Sequence, residues 1–263
     1  MSESSDWAVL RLAKTLSSKF DSDWRNLSSA RRRTWAARML AAVVASVAVL
    51  YGGIALLHVA TAGTYRLAWE ENVLRTIEAA PMRFGTAVWF QTFGADFMLA
   101  FVVLTTAALA IWRDRPLLAV TIVMSLIVMD AIVRIGWFSL ARTRPDIIAQ
   151  GLASPGFHSF PSGHTSKTLA VYGLLAAQWF RASRSAIEKI LIVVLLTLIA
   201  LVVPLGRLRM GVHWPTDVIG GLLIGVVWLA ATLHAFRPAP APRSTHEETG
   251  RPAAGMEPTQ SVP

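Results

Sequence analysis

The chain contains no cysteine, which excludes a disulfide framework and thiolate chemistry and leaves the redox compartment undetermined. Charge is scarce as well. Only 16% of the 263 residues are charged against 54% hydrophobic, and the mean hydropathy of +0.50 is far above that of an ordinary soluble domain. Acids are scarcer than bases, 16 Asp and Glu against 25 Lys and Arg, for a formal net charge of +9. The excess bases do not form a base-reading motif with interleaved aromatics, so nucleic acid is not the expected partner. The composition instead describes an integral membrane protein whose partner is the bilayer and whose positive charge sets topology.

Six apolar segments carry that reading, at about 36–60, 85–112, 117–140, 162–180, 189–206 and 217–236. A helix needs about 20 such residues to cross the hydrocarbon core, so the expected fold is all-α: six transmembrane helices in a bundle. Residues 1–34 are polar and basic, ending in Arg31, Arg32 and Arg33; they are too long and polar for a signal-peptide n-region, so the first span is expected to be retained. Two readings of this segment stay open: an amphipathic helix on the bilayer, from the spacing of Val9, Leu12, Leu16 and Phe20, or a solvated basic tail.

Residues 35–236 form the expected six-span domain, and 237–263 a disordered Pro/Ala-rich tail. With alternating spans, both termini and the basic 113–116 and 181–189 loops share one side, which the positive-inside rule makes cytoplasmic, in the cell's inner (plasma) membrane. The other face receives the mixed-charge segment 61–83, readable as an interfacial helix, the 142–160 loop and the 207–214 turn. Trp35, Trp112, Trp137, Trp179 and Trp214 lie near span ends, where interfacial anchoring is the expected role. No internal repeat is evident, no obligate protein partner is indicated, and no loop has room for a further domain.

That non-cytoplasmic face collects three polar clusters. Arg142-Thr143-Arg144-Pro145 ends span three, Pro161-Ser162-Gly163-His164 opens span four, and Arg207 through Asp217 joins spans five and six. His213 and Asp217 are four apart, with Pro215 suited to the first turn of a helix starting near Trp214, so one helical face is expected to hold both. A carboxylate beside an imidazole fixes its tautomer and stabilises its cationic form, and Arg207 is placed to hold an anion near the free nitrogen. Ser162 is a candidate cap for a helix whose unpaired amides, with Gly163 allowing close approach, face that anion. Arg144 and Arg207 supply planar donors matched to phosphate oxygens, and His164 the acid that protonates a departing oxygen. His164, His213 and Asp217 are also a conceivable zinc set, disfavoured by the arginines that would repel a dication.

These clusters resemble the three boxes of the type 2 phosphatidic acid phosphatase and vanadium haloperoxidase superfamily, in its integral-membrane lipid phosphatase branch. The matching residues are Arg144-Pro145, Pro161 to His164, and Arg207 with His213 and Asp217 at the family's intervals. The resemblance implies a phosphatase without cofactor or metal, in which His213 attacks phosphorus and becomes phosphohistidine, oriented by Asp217. His164 would protonate the leaving alcohol and then activate water, while Arg144, Arg207, Ser162 and the Gly163 amide hold the phosphoryl oxygens. Two positions depart from the pattern: Trp137 stands where the family usually has lysine, and Gly206 where serine usually precedes the third-box arginine. Arg142 and Lys167 are the expected substitutes for the missing cation, with Arg134 instead expected to pair with Asp130 at i,i+4 spacing.

The implied substrate is a phosphorylated lipid, and phosphatidic acid, phosphatidylglycerol phosphate, undecaprenyl pyrophosphate and lipid A phosphates all fit. The alternative is a catalytically weakened member that only binds or transfers such a lipid. Haloperoxidase chemistry would use the same pocket, but six spans argue against it.

Overall fold

The computed structural model describes residues 3–148 and 158–237, which form nine α-helices and no strand. The expected disordered tail and part of the 142–160 loop lie outside the described residues. In chain order the helices are α1 (Glu3–Asn26), α2 (Ser29–Ala60), α3 (Ala68–Ala79), α4 (Phe84–Thr92), α5 (Asp96–Trp112), α6 (Pro116–Ser139), α7 (Gly163–Ala182), α8 (Ala186–Arg209) and α9 (Pro215–Ala235). The chain is a helical, multi-pass membrane protein.

Five stretches are long and apolar enough to cross a bilayer: α2, α4 with α5, α6, α8 and α9, with mean hydropathies of 2.4, 2.0, 2.4, 2.7 and 2.0. α8 shows why, with Ile187, Ile190, Leu191, Val194, Leu198 and Leu201 all exposed in a contiguous apolar surface that only hydrocarbon solvates well. The expected fourth span, α7, is absent from that group. It packs against α5, α6, α8 and α9, and buries Thr165, Ser166, Lys167 and Thr168 along with its apolar residues. A helix wrapped by other helices needs no lipid-compatible surface, so its polar content rises.

Boundaries moved where the expected edges were set by charge. α2 starts at the cap residue Ser28, whose Oγ accepts from Arg31 N at 3.2 Å, so Arg31 to Arg33 lie inside the helix rather than before it. The second apolar segment breaks into α4 and α5 at Phe93-Gly94-Ala95. α1 is a helix, the conformation that the first of the two readings expects, with its placement on a bilayer left as an expectation. It packs against α5 and α6, where Lys19 pairs with Asp114 and Trp24 meets Trp35 edge-on; nothing is described of the Val9 side chain.

The helices fix two opposite ends. Trp35, Leu117 and Ala235, at the starts of α2 and α6 and the finish of α9, share one core cluster. At the other end α6 and α8 finish while α7 and α9 begin, about 30 Å away at 1.5 Å per residue. α7 and α9 meet there almost backbone to backbone: a Cβ on Gly221 would lie 2.6 Å from Ser162 O, so only glycine admits the contact. α3, within the segment expected as an interfacial helix, packs over this end against α8 and α9.

Candidate active site

Pro215 opens α9 as expected, with Trp214 as the cap residue. Asp217 occupies the third position of the first turn, and its Oδ2 reaches back to accept from Trp214 N at 2.7 Å. His213 therefore precedes the helix instead of sharing a face with Asp217. The two still meet, because the carboxylate turns back toward the cap: His213 Nδ1 lies 3.6 Å from Asp217 Oδ2. That is ion-pair range and longer than a hydrogen bond, and Nδ1 has no hydrogen-bond partner. Such contacts commonly tighten only with substrate. His213 is 1% exposed, and this burial pushes its imidazole down to about 4, against the upward pull of Asp217. At neutral pH it is uncharged, and Nδ1, not Nε2, is the ring nitrogen nearest Asp217.

Backbone contacts stitch the three boxes together. Trp214 Nε1 donates to Thr143 O at 2.8 Å, Arg144 Nη1 to Val212 O at 3.1 Å, and Ser162 N to Asp217 O at 2.9 Å. Arg207, from α8, donates Nη1 to Gln91 Oε1 of α4 at 3.0 Å. His164, in the first turn of α7, is close enough to Arg207, His213, Lys167 and Arg144 for each to act on it electrostatically. The Nε groups of Arg144 and Arg207 are buried without a hydrogen-bond partner. Burial lowers the pKa of Arg144, opposed by Asp217. Buried guanidinium donors left unpaired are costly, and an anion with several oxygens is the ligand class that pairs them.

Two of the expected phosphate ligands are occupied elsewhere. Arg142 is 1% exposed and donates Nε to Tyr65 O at 2.9 Å, Nη1 to Thr216 Oγ1 at 2.7 Å and to Asp217 Oδ1 at 2.6 Å, and Nη2 to Glu70 Oε2 at 2.6 Å. Its guanidinium also lies 5.4 Å from the Trp214 ring. A side chain with its donors so engaged supports the site rather than holding phosphate. Lys167 pairs with Asp96 and, at 3.2 Å, with Asp130, so its ammonium adds field near His164 but is already neutralised. Arg134 does pair with Asp130, at 2.6 Å. Ser162 is the cap residue by position, yet its hydroxyl caps nothing and instead accepts from Thr165 Oγ1 at 3.0 Å.

Both departures have a packing cause. Trp137 donates Nε1 to Pro161 O at 3.1 Å, tying the end of α6 to the second box. A Cβ on Gly206 would lie 2.7 Å from Ala87 O and 3.1 Å from Gln91 N, so α4 takes the volume of the usual serine side chain and brings Gln91 to Arg207.

Sequence reasoning missed Glu70, Thr216 and Gln91. Glu70 is fully buried, with Oε1 accepting from Thr216 N at 3.0 Å and Thr216 Oγ1 at 2.7 Å. The one available signal was an acid inside the 61–83 segment, which was expected on the same face as the three clusters. The expected anchors Trp35 and Trp214 are buried, and Arg209 is buried with Nε on Met82 O at 3.1 Å. Among the described residues no three His, Cys, Asp or Glu side chains gather in a metal-holding group.

Comparison with known proteins joins this geometry to a family. Residues 118–240 match the model of the PAP2 superfamily. A stretch of 91 residues, 34% of the chain, is 32% identical to phosphatidylglycerophosphatase B of Bacillus subtilis (strain 168). Another of 147 residues, 54% of the chain, is 28% identical to undecaprenyl-diphosphatase of Sulfolobus acidocaldarius. The matches span 43% and 65% of those two proteins' own lengths. Among solved structures, the transmembrane PAP2-type phosphatidylglycerolphosphate phosphatase from Bacillus subtilis aligns over 86% of this chain and 94% of its own, with a TM-score of 0.49 and 18% identity. All three polar boxes fall within residues 118–240, the stretch that matches the PAP2 superfamily.

Proposed function

We propose that the protein is a membrane phosphatase that hydrolyses a phosphomonoester or diphosphate of a lipid through a phosphohistidine on His213, without a metal or other cofactor. The observation that carries this reading is the pair of buried, unpaired guanidinium Nε groups, Arg144 and Arg207, beside two histidines. Phosphoryl oxygens pair those donors, supplemented by the Gly163 amide at the start of α7 and the Ser162 hydroxyl. His213 Nε2 attacks phosphorus while the P–O bond to the lipid breaks, and His164 protonates the departing oxygen. His164 then takes a proton from water, which attacks the phosphohistidine, releasing inorganic phosphate and restoring His213. Asp217 offsets the positive charge on His213, and the arginines offset the charge on the transferring phosphoryl group.

A lipid substrate follows from a site at the end of an apolar bundle, and from the relatives, a phosphatidylglycerophosphatase and an undecaprenyl-diphosphatase. The proposed topology has six spans, the protein-sheathed α7 counted as the fourth, across the 35–236 domain. The basic 1–34 segment and the 237–263 tail face the cytoplasm of the inner (plasma) membrane, and the site opens on the far side.

Phosphate release by the purified protein from a panel of lipid phosphates tests the reading. We expect turnover that vanadate inhibits and a chelator leaves untouched, falling about 10³-fold or more in His213→Ala and in His164→Ala. Unchanged turnover in both variants would sink this mechanism, and lipid binding without turnover in the parent protein would replace it with a binding or transfer role.

A further inference from the structure

The carboxylate that serves His213 is held by a charge chain whose far end lies outside the three boxes and outside the matched residues 118–240. Glu70, in the first turn of α3, is fully buried and grips Arg142 through Oε2 and Thr216 through Oε1. Arg142 in turn donates to Asp217 Oδ1, whose other oxygen faces His213 Nδ1. The order is Glu70, Arg142, Asp217, His213, with each of the first three at most 1% exposed.

Charge counting gives this chain a purpose. Arg142 paired with Asp217 alone would neutralise the one carboxylate beside the nucleophile. Glu70 supplies a second carboxylate, so the three buried groups sum to one net negative charge. The other charged or titratable groups acting on His213 are Arg207 of α8, Arg144 after α6 and His164 of α7, and none of them supplies an anion. Phosphorylation turns His213 into a cation in this arginine-rich surrounding, and the remaining negative charge is what stabilises it.

We propose that Glu70 is a positioning residue for the nucleophile: through Arg142 it orients Asp217 and keeps one net negative charge beside His213 as that side chain accepts the phosphoryl group. The inference rests on the phosphatase reading and gives α3 a role in the chemistry beyond covering the site.

Glu70→Gln keeps the shape of the side chain and an acceptor for Thr216 while removing the charge. The expected result is a fall in kcat on the order of 10- to 100-fold with KM nearly unchanged, the size typical of losing a partner that orients a functional group. The acid limb of kcat/KM, set by protonation of His213, should move to lower pH, because losing a nearby negative charge favours the neutral imidazole. A purely structural loss would lower the active fraction and leave that limb in place.

The double variant Glu70→Gln/Arg142→Met sharpens the test, since removing both charges returns the group to one net negative charge through Asp217. Its acid limb should return to the parent position. Wild-type kcat in Glu70→Gln, an unmoved acid limb in it, or a double variant that keeps the shifted limb of the single one, each overturns the proposal. If Glu70→Gln does not accumulate in membranes, the double variant decides alone: the proposal requires it to fold and to keep the parent limb. The two levels fail separately. A parent protein that releases no phosphate, or a His213→Ala variant with full turnover, sinks the phosphatase reading; normal behaviour of both beside an unaffected Glu70→Gln sinks only this inference.

Discussion

Arg142 and Arg144 stand two residues apart just beyond α6, carry the same charge and end in opposite states. Arg142 is sealed, with a carbonyl, a hydroxyl and two carboxylates on its guanidinium. Arg144 is half-buried, donates to one carbonyl, and keeps a buried Nε without a partner. The difference teaches how to read a cation in an active site: one whose donors are saturated by the protein is scaffold, while one held in place with donors to spare awaits an anion. Arg207 falls in the second class, with Gln91 fixing one end of its guanidinium and Nε left over.

Breaking the saturated member should cost stability first. Arg142→Ala strands Glu70 and Asp217 as buried, like-charged carboxylates, a change expected to cost about 3–5 kcal/mol of folding free energy. Denaturation of the purified protein in detergent would register it, with a melting temperature many degrees below the parent's. A variant as stable as the parent would mean that the two acids take up protons or water easily, and that Arg142 is not the scaffold its contacts describe.

Breaking the unsaturated members should do the reverse. Arg144→Ala and Arg207→Ala each remove donors to the phosphoryl oxygens, a loss expected at about 3–4 kcal/mol of transition-state stabilisation, or roughly 10²- to 10³-fold in kcat/KM. Melting temperatures should stay near the parent's or rise, since a buried guanidinium with an unpaired Nε is itself unfavourable. A large drop in stability with modest kinetic change would move these arginines into the class of Arg142.

The contrast marks what a sequence can and cannot expose. The boxes were legible because residue types suited to holding an anion stand at fixed local intervals, and the bundle because hydrocarbon demands long apolar runs. What escaped depends on partners far along the chain. Arg142 looked like a spare cation until Glu70, 72 positions away, was brought against it, and Lys167 looked free until Asp96 and Asp130 arrived from α5 and α6. The α4–α5 break was hidden because Phe93, Gly94 and Ala95 are as apolar as a span. Trp35 and Trp214 look like interfacial anchors in one dimension, but the fold buries both and gives their Nε1 atoms protein acceptors, Thr121 Oγ1 and Thr143 O. α7 was found by its apolar stretch, while its sheath of neighbouring helices, which explains its polar side chains, is a tertiary fact.

Trp137 provides the smallest and most discriminating test, because it stands where the family usually carries a cation. Its Nε1 donates to Pro161 O, at the turn that presents Gly163 and His164 to the site. Trp137→Phe removes that donor and leaves most of the apolar contact, so the expected loss is about 1 kcal/mol of stability with at most a few-fold change in kcat. Such a result would group Trp137 with Arg142, as a side chain that shapes the pocket from behind. A kinetic loss as large as that of Arg144→Ala would instead mean that the indole N–H has taken over part of the missing lysine's contact with the substrate. Measured beside Arg142→Ala and Arg144→Ala, the variant therefore tells whether a donor already committed to a backbone carbonyl still counts among those that hold phosphate.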